Sequence, residues 1–237
     1  MNKKGQITIF VVVAIILIAV ISLFYLFKDN LRSSGSGEYD YIYSFVEECI
    51  KDVGKSATYY VSERGGYFIP SELSAEEIPY YYYSGQSYLP SKEQIEDEIS
   101  KYVNEMLFFC TQNFVDFSEI NISQGKINSK THVHEEEIIF EVEYPITIQK
   151  GENTVIIKDF ENIPIFMKLG SIYDLSSEII EQQKGNNETC LTCPLNFAIE
   201  HDLYVDISLY NNDTILYLIE DQDYSPSLKF KFLNKYN

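Results

Sequence analysis

Val133-His134-Glu135-Glu136-Glu137-Ile138-Ile139-Phe140-Glu141-Val142-Glu143-Tyr144-Pro145-Ile146-Thr147-Ile148 places apolar side chains at every second position from Ile138 onward. A period of two is that of a β-strand with one face buried. Working outward, Ile120 to Ile127 and Val155 to Phe160 read as further strands, with turns near Lys130 and at Gly151-Glu152-Asn153. A helix from about Ile165 to Gln183 follows. Val205, Ile207 and Leu209 alternate before Asn211-Asn212-Asp213, and Ile215, Tyr217 and Ile219 alternate after it, which predicts a hairpin. Ser227 to Leu233 supplies a last strand.

Upstream the period is helical. Ile42, Phe45, Val46, Cys49, Ile50, Val53, Ala57, Tyr60 and Val61 recur at steps of three and four, predicting an amphipathic helix over 39–64 that Gly65-Gly66 stops. A second helix starts near Ser91, whose hydroxyl caps it, and carries the stripe Ile95, Ile99, Tyr102, Val103, Met106, Leu107, Cys110. Between them Pro70, Pro79 and Pro90 punctuate Tyr80-Tyr81-Tyr82-Tyr83, which reads as an extended surface excursion. The order predicts an α+β domain with helices packed on an antiparallel sheet. It divides into a helical part over 39–114, containing the tyrosine-rich insertion, and a sheet-rich part over 115–237.

Ahead of the domain, Ile7 to Phe27 is a run of 21 residues without a charge. At about 1.5 Å per residue it covers the roughly 30 Å hydrocarbon core, whereas a cleaved secretory core is about 7 to 15 residues long. The reading is a retained transmembrane helix over 7–27, a short cytoplasmic tail over 1–6 and a flexible linker over 28–38 containing Ser33-Ser34-Gly35-Ser36-Gly37. Lysine and arginine counts on the two sides nearly balance. Four cysteines, the short tail and the sequons at Asn121, Asn187 and Asn212, which are glycosylation candidates, place residues 39–237 outside the cell membrane.

Lys3-Lys4-Gly5-Gln6, followed at once by the apolar run, resembles the class III signal of archaeal and bacterial type IV pilin-like proteins. The resemblance covers about 27 residues and implies processing by a prepilin peptidase between Gly5 and Gln6, with the hydrophobic segment retained. Phe10 stands where the bacterial pattern has a glutamate, and the Gly/Ser linker breaks the long helix that carries a pilin head. The wider chain is similar to uncharacterised archaeal proteins carrying this type of amino terminus, which implies no function.

The whole chain has 18 basic and 36 acidic residues, net −18. Leaving out residues 1–32 removes Lys3, Lys4, Lys28 and Arg32 from the first count and Asp29 from the second, so the remainder holds 14 and 35, net −21. Such a surface repels nucleic-acid phosphates and anionic lipid headgroups, which excludes nucleic acid as a partner class. No EF-hand loop occurs, and Asp221-Gln222-Asp223 lacks the glycine that would follow. Nor is there a His-Glu-x-x-His, Gly-x-Ser-x-Gly, P-loop or dinucleotide glycine pattern, so no enzyme is expected.

Four groups of residues remain as candidates. Cys190-Leu191-Thr192-Cys193 is a redox dithiol, half of a zinc site or a short disulfide loop. Its loop-like surroundings and the lack of a second CxxC favour the disulfide. Cys49 and Cys110 lie on the apolar stripes of the two predicted helices. If those helices pack together, a disulfide closing the 61-residue separation would contribute something like 4 kcal/mol in the chain-entropy model; otherwise they are two buried thiols. On a strand, His132, His134 and Glu136 would project from one face, where they present either a divalent-metal site, the one cofactor considered, or a plain wet surface, while Val133 faces inward. Tyr80, Tyr81, Tyr82 and Tyr83 form the strongest binding candidate, suited to a protein or carbohydrate partner, or else alternate rings fill the core.

The sequence therefore predicts a single-span surface protein with a non-catalytic binding or structural ectodomain. The alternative is a pilin-like subunit, a homo-oligomer, processed after Gly5. A third reading is a redox or metal-dependent ectoenzyme centred on Cys190, Cys193 or His132.

Overall fold

The computed structural model describes residues 39–185 and 193–236. The chain divides into Met1–Ser44 and Phe45–Asn237. The architecture is mixed α and β, with helices on sheets that are antiparallel apart from one strand pair. Among the described residues no helix is long and apolar enough to cross a membrane, and Ile7–Phe27 lies outside them.

Helix α1 spans Asp40–Glu63. It stops at Gly65 and Gly66, whose φ values of 54° and 86° suit glycine and end the ladder. Three short strands follow: β1 (Ser74–Ala75), β2 (Ile78–Tyr83) and β3 (Gln86–Ser87). Helix α2 (Lys92–Thr111) begins where expected, with the Ser91 hydroxyl accepting the Gln94 N–H. A 3-10 segment (Gln112–Phe117) leads to β4 (Asn121–Gln124), β5 (Asn128–Val133), β6 (Glu137–Lys150) and β7 (Asn153–Phe166). Helices α3 (Leu169–Gly185) and α4 (Cys193–Glu200) precede β8 (Tyr204–Asn211), β9 (Thr214–Asp221) and β10 (Leu228–Lys235).

Two sheets form instead of the single antiparallel one expected. The first has the order β1-β2-β10-β9-β8, with β3 also on β2, and its β2–β10 pair is parallel. The second is built on β6, which carries β7 on one side and β4 and β5 on the other. The strands of the tyrosine-rich insertion thus join the first sheet, and β2 stays tied to the end of α1, where Arg64 pairs with Glu77 at 2.7 Å. Lys130, read as a turn, lies inside β5, and the chain reverses instead at 134–136. The helix read from Ile165 starts at Leu169, because β7 continues to Phe166 against Glu137 of β6.

The alternation on β6 puts Ile138, Phe140, Val142, Tyr144, Ile146 and Ile148 into the core, each at most 2% exposed. Helix α1 comes so close to this sheet that a β-carbon on Gly54 would lie 2.7 Å from the Phe140 ring. Its Cys49 is disulfide-bonded to Cys110 of α2, Cα to Cα 5.7 Å.

Helix α2 also closes the outer edge of β5. The Ser129 N–H donates to Asn104 Oδ1 at 2.7 Å, the Val133 N–H donates to Glu96 Oε1 at 2.8 Å, and between them Ser100 Oγ and Thr131 Oγ1 are 2.9 Å apart. Four helical residues rise about 6 Å and two strand residues about 6.6 Å, so Glu96, Ser100 and Asn104 keep step with Val133, Thr131 and Ser129. Backbone donors that would otherwise template another strand are satisfied within the chain.

Helix α3 connects the two sheets. At its start Gly170 lies against the 134–136 turn, where a β-carbon would meet the His134 carbonyl oxygen at 2.1 Å, and Glu135 O accepts the Ser171 N–H and hydroxyl. At its other end the Gln183 amide donates to Tyr217 Oη at 3.1 Å and accepts from Asn234 Nδ2 at 2.8 Å. Tyr217 and Asn234 belong to the first sheet.

Candidate functional site

The first sheet owes its shape to its tyrosines. Tyr81, fully buried, stacks on Phe232 of β10 with centroids 4.6 Å apart, and Phe232 stacks on Tyr217 of β9 at 5.0 Å. The Tyr81 hydroxyl donates to Gly65 O at 2.8 Å, which satisfies it inside the core. Burial pushes the Tyr81 phenol well above its ordinary range, and Tyr67 and Tyr173 add to the effect. The Tyr217 phenol is raised in the same way by burial, reinforced by Tyr236.

A register shift between Leu233 and Asn234 decides where the other rings go. Leu233 pairs with Tyr80, Asn234 with Tyr82 and Lys235 with Tyr83, so Tyr81 is the extra residue of a bulge. Beyond the bulge the phase is inverted, and Tyr83 rejoins the face of Tyr80. Their rings meet edge to face at 5.2 Å, 78° apart. Tyr82 turns instead to Tyr236, at 5.9 Å. The four consecutive tyrosines are therefore neither an excursion nor one surface: Tyr81 is core, while Tyr80, Tyr82 and Tyr83 are half-buried, Tyr80 and Tyr83 as a pair and Tyr82 against Tyr236.

Around that pair lies a mixed set of charges. Lys235 Nζ stands 5.5 Å from the Tyr83 ring centroid and 3.3 Å from Asp213 Oδ2. The hydrogen bond and charge of Asp213 hold the Lys235 ammonium above its usual range. Tyr210, which falls at a register shift of β8, is hydrogen-bonded to Glu76, and partial burial followed by the charges of Glu76 and Tyr80 raises its phenol. Two perpendicular rings, a third phenol, one ammonium and two carboxylates thus converge at one corner of the first sheet. This set offers aromatic faces, hydrogen-bond donors and acceptors, and both signs of charge, which is the chemistry of a contact surface for a protein or a sugar. Sequence reading selected Tyr80 and Tyr83 by aromatic density; Tyr210, Lys235 and Glu76 carried no local signal.

The histidine group does not assemble. His132 is the last but one residue of β5, but His134 and Glu136 are exposed in the following turn, so strand alternation does not bring the three to one face. The imidazole Nε2 of His132 is 3.8 Å from Glu141 Oε2. Val133, as expected, is buried. Among the described residues no three His, Cys, Asp or Glu side chains converge to hold a metal ion. Asp221 is fully buried at the end of β9, its Oδ1 accepting the Asp223 N–H at 3.1 Å, and Asp223 is paired to Lys168 at 2.7 Å.

On the second sheet an open cleft of about 170 Å³ is lined by Asn128, Lys130, Glu141, Glu143, Asp159 and Glu161. Val142 and Phe160 also line it, so half of its lining is carboxylate, with one lysine. Asn121 is exposed on β4 and Asn212 is exposed in the β8–β9 turn, both open to modification. Cys190, the side chain of Cys193, Asn187 and the segment Lys3, Lys4, Gly5 and Gln6 lie outside the described residues.

No family model matches the chain, and no similar curated protein or solved structure was found.

Proposed function

We propose that this chain is a single-span membrane-anchored surface protein whose acidic ectodomain has a binding or structural role. The observation that carries the reading is the uncharged run Ile7–Phe27, long enough to cross a bilayer and set off from the domain by a Gly/Ser linker. The Cys49–Cys110 disulfide supports an oxidising exterior for residues 39–237. The corner built by Tyr80, Tyr83, Tyr210 and Lys235 supports a non-catalytic contact with a protein or carbohydrate, and the net charge of −21 over residues 33–237 opposes nucleic acid.

A specific observation favours a second reading. Lys3-Lys4-Gly5-Gln6 directly before the apolar run has the form of a class III signal, which makes the chain a pilin-like subunit or minor assembly component processed after Gly5. One experiment tests both. The full chain is expressed in a host with a prepilin peptidase, and the mature amino terminus is determined by mass spectrometry in membrane and sheared-surface fractions. A start at Met1 or Asn2, confined to membranes that survive an alkaline wash, is the result for an anchored ectodomain. A start at Gln6 with protein in the sheared fraction favours the pilin-like subunit. Recovery in the soluble fraction contradicts both.

A further inference from the structure

The end of α2 and the 3-10 segment after it sort their apolar residues in two directions. Asn113 and Phe114 take φ values of 54° and 57°, which reverses the chain and turns the Phe114 ring inward, 4% exposed. There it meets Phe45 at 6.0 Å and Tyr144 at 6.5 Å, while Phe117 meets Phe45 at 5.2 Å. The opposite set stays in solvent: Phe109 is 64% exposed, Val115 60%, Phe108 40% and Met106 36%. Phe108 and Phe109 touch edge to face at 5.9 Å, next to the Cys49–Cys110 staple. Four large apolar side chains exposed within the ten residues 106–115 exceed the singly scattered ones that are normal on a surface.

Chain connectivity points to the occupant. Phe45, packed on Phe114 and Phe117, is joined by residues 28–44 to the end of the apolar run at Phe27. Only 11 residues, 28–38, separate Phe27 from Tyr39, and a chain of that length reaches at most about 40 Å. A domain of this size is roughly 40 Å across. Residues 28–38 cannot reach beyond the width of the domain, and the staple fixes Phe108 and Phe109 beside Cys49, near the amino-terminal half of α1.

We infer that Met106, Phe108, Phe109 and Val115 form a membrane-facing foot that docks on the headgroup region of the bilayer beside the anchor. The inference rests on the anchored reading of Ile7–Phe27. The lipid is uncharged overall, since the exposed Glu105 and Asp116 flank the foot and disfavour anionic headgroups. Aromatic side chains at this depth hold a domain in one orientation, as interfacial rings do in membrane proteins.

The chain has no tryptophan, so one introduced indole is a unique probe. Phe109→Trp, Val115→Trp and, as a control on the edge strand β8, Leu209→Trp are each made in the full chain and reconstituted in phosphatidylcholine nanodiscs with or without lipid brominated near the headgroup. Leu209 is 78% exposed, and none of the three side chains fills the core. The expected result is a blue-shifted Phe109→Trp or Val115→Trp emission that bromolipid lowers by about twofold or more, with Leu209→Trp unchanged. Unquenched emission at 109 and 115 from chains that are in the discs overturns the foot and leaves the anchor standing. A blue shift without quenching also overturns it, by showing a protein cover such as a second copy. Equal quenching at all three positions overturns it by removing the orientation. Chains that do not enter the discs overturn the anchored reading, and the inference falls with it.

Discussion

The two sheets of Phe45–Asn237 solve the same packing problem with different materials. The second is assembled from neighbours in sequence, β4 to β7, and filled from β6 mainly by aliphatic side chains, with Phe140 and Tyr144 among them. The first is closed by β2 and β10, whose paired residues Tyr80 and Leu233 lie 153 positions apart, and its centre is the ring stack Tyr81, Phe232 and Tyr217. The buried hydroxyls of Tyr81 and Tyr217 are then met by Gly65 O and by the Gln183 amide, which in turn accepts from Asn234. The aliphatic sheet needs little beyond shape. The aromatic one is held by shape and hydrogen bonds together, and it alone turns tyrosines outward.

The largest expected effect is at the centre of the aromatic stack. Phe232→Ala removes the shared ring between two tyrosines and costs about 4 kcal/mol, read as a fall in the thermal midpoint of roughly 10 °C by circular dichroism. Ile148→Val in the aliphatic sheet costs about 1 kcal/mol, and comparable losses at the two sites would erase the contrast. Next, Cys49→Ser with Cys110→Ser lowers stability by up to about 4 kcal/mol in denaturant titration under oxidising conditions, and the parent protein under full reduction loses at least as much.

At the seam of the second sheet, Glu96→Ala leaves the Val133 N–H without its acceptor and costs about 2 kcal/mol. Amide exchange then accelerates along β5 and not along β10; acceleration in both would mean that the sheets unfold as one unit.

Alkaline titration reads the buried phenols of both sheets, Tyr81 and Tyr217 in the first and Tyr144 in the second, all raised by burial. Tyr81 and Tyr217 have folded pKa values raised above the ordinary 10.0, so above that pH the unfolded chain releases protons that the folded chain keeps. Stability is therefore flat with respect to these groups below about pH 10 and declines above it, by about 1.4 kcal/mol per pH unit for each such phenol. Tyr81→Phe reduces that slope; an unchanged slope would show that its burial does not govern the alkaline limb. Smallest is Ser91→Ala, which removes the α2 cap and costs about 1 kcal/mol.

What the sequence disclosed follows the same division. The stop of α1, the cap of α2, the alternation of β6 and the β8–β9 hairpin depend on residues close in the chain, and their patterns are visible without a fold. Tyr80 to Tyr83 were misread because β2 acquires its partner from the other end of the chain, and because a bulge, which leaves no mark in the sequence, splits four like residues between two faces. Asn128 to Val133 was misread around Lys130 because the outer edge of β5 is closed by the polar stripe Glu96, Ser100 and Asn104 on a helix. The His132, His134 and Glu136 grouping assumed a strand one turn too long; Gly170 and Ser171 hold that turn from α3. For the outward corner, aromatic density pointed to Tyr80 and Tyr83, whereas Tyr210, Lys235 and Glu76 are brought in only by the sheet order.

The most direct test of an exterior, folded ectodomain is a non-reducing peptide map of fragments shaved by protease from intact cells. The account predicts release without lysis of peptides from residues 39–237, with the Cys49 peptide joined to the Cys110 peptide. Peptides that appear only after lysis, with both cysteines alkylated as free thiols, would contradict it.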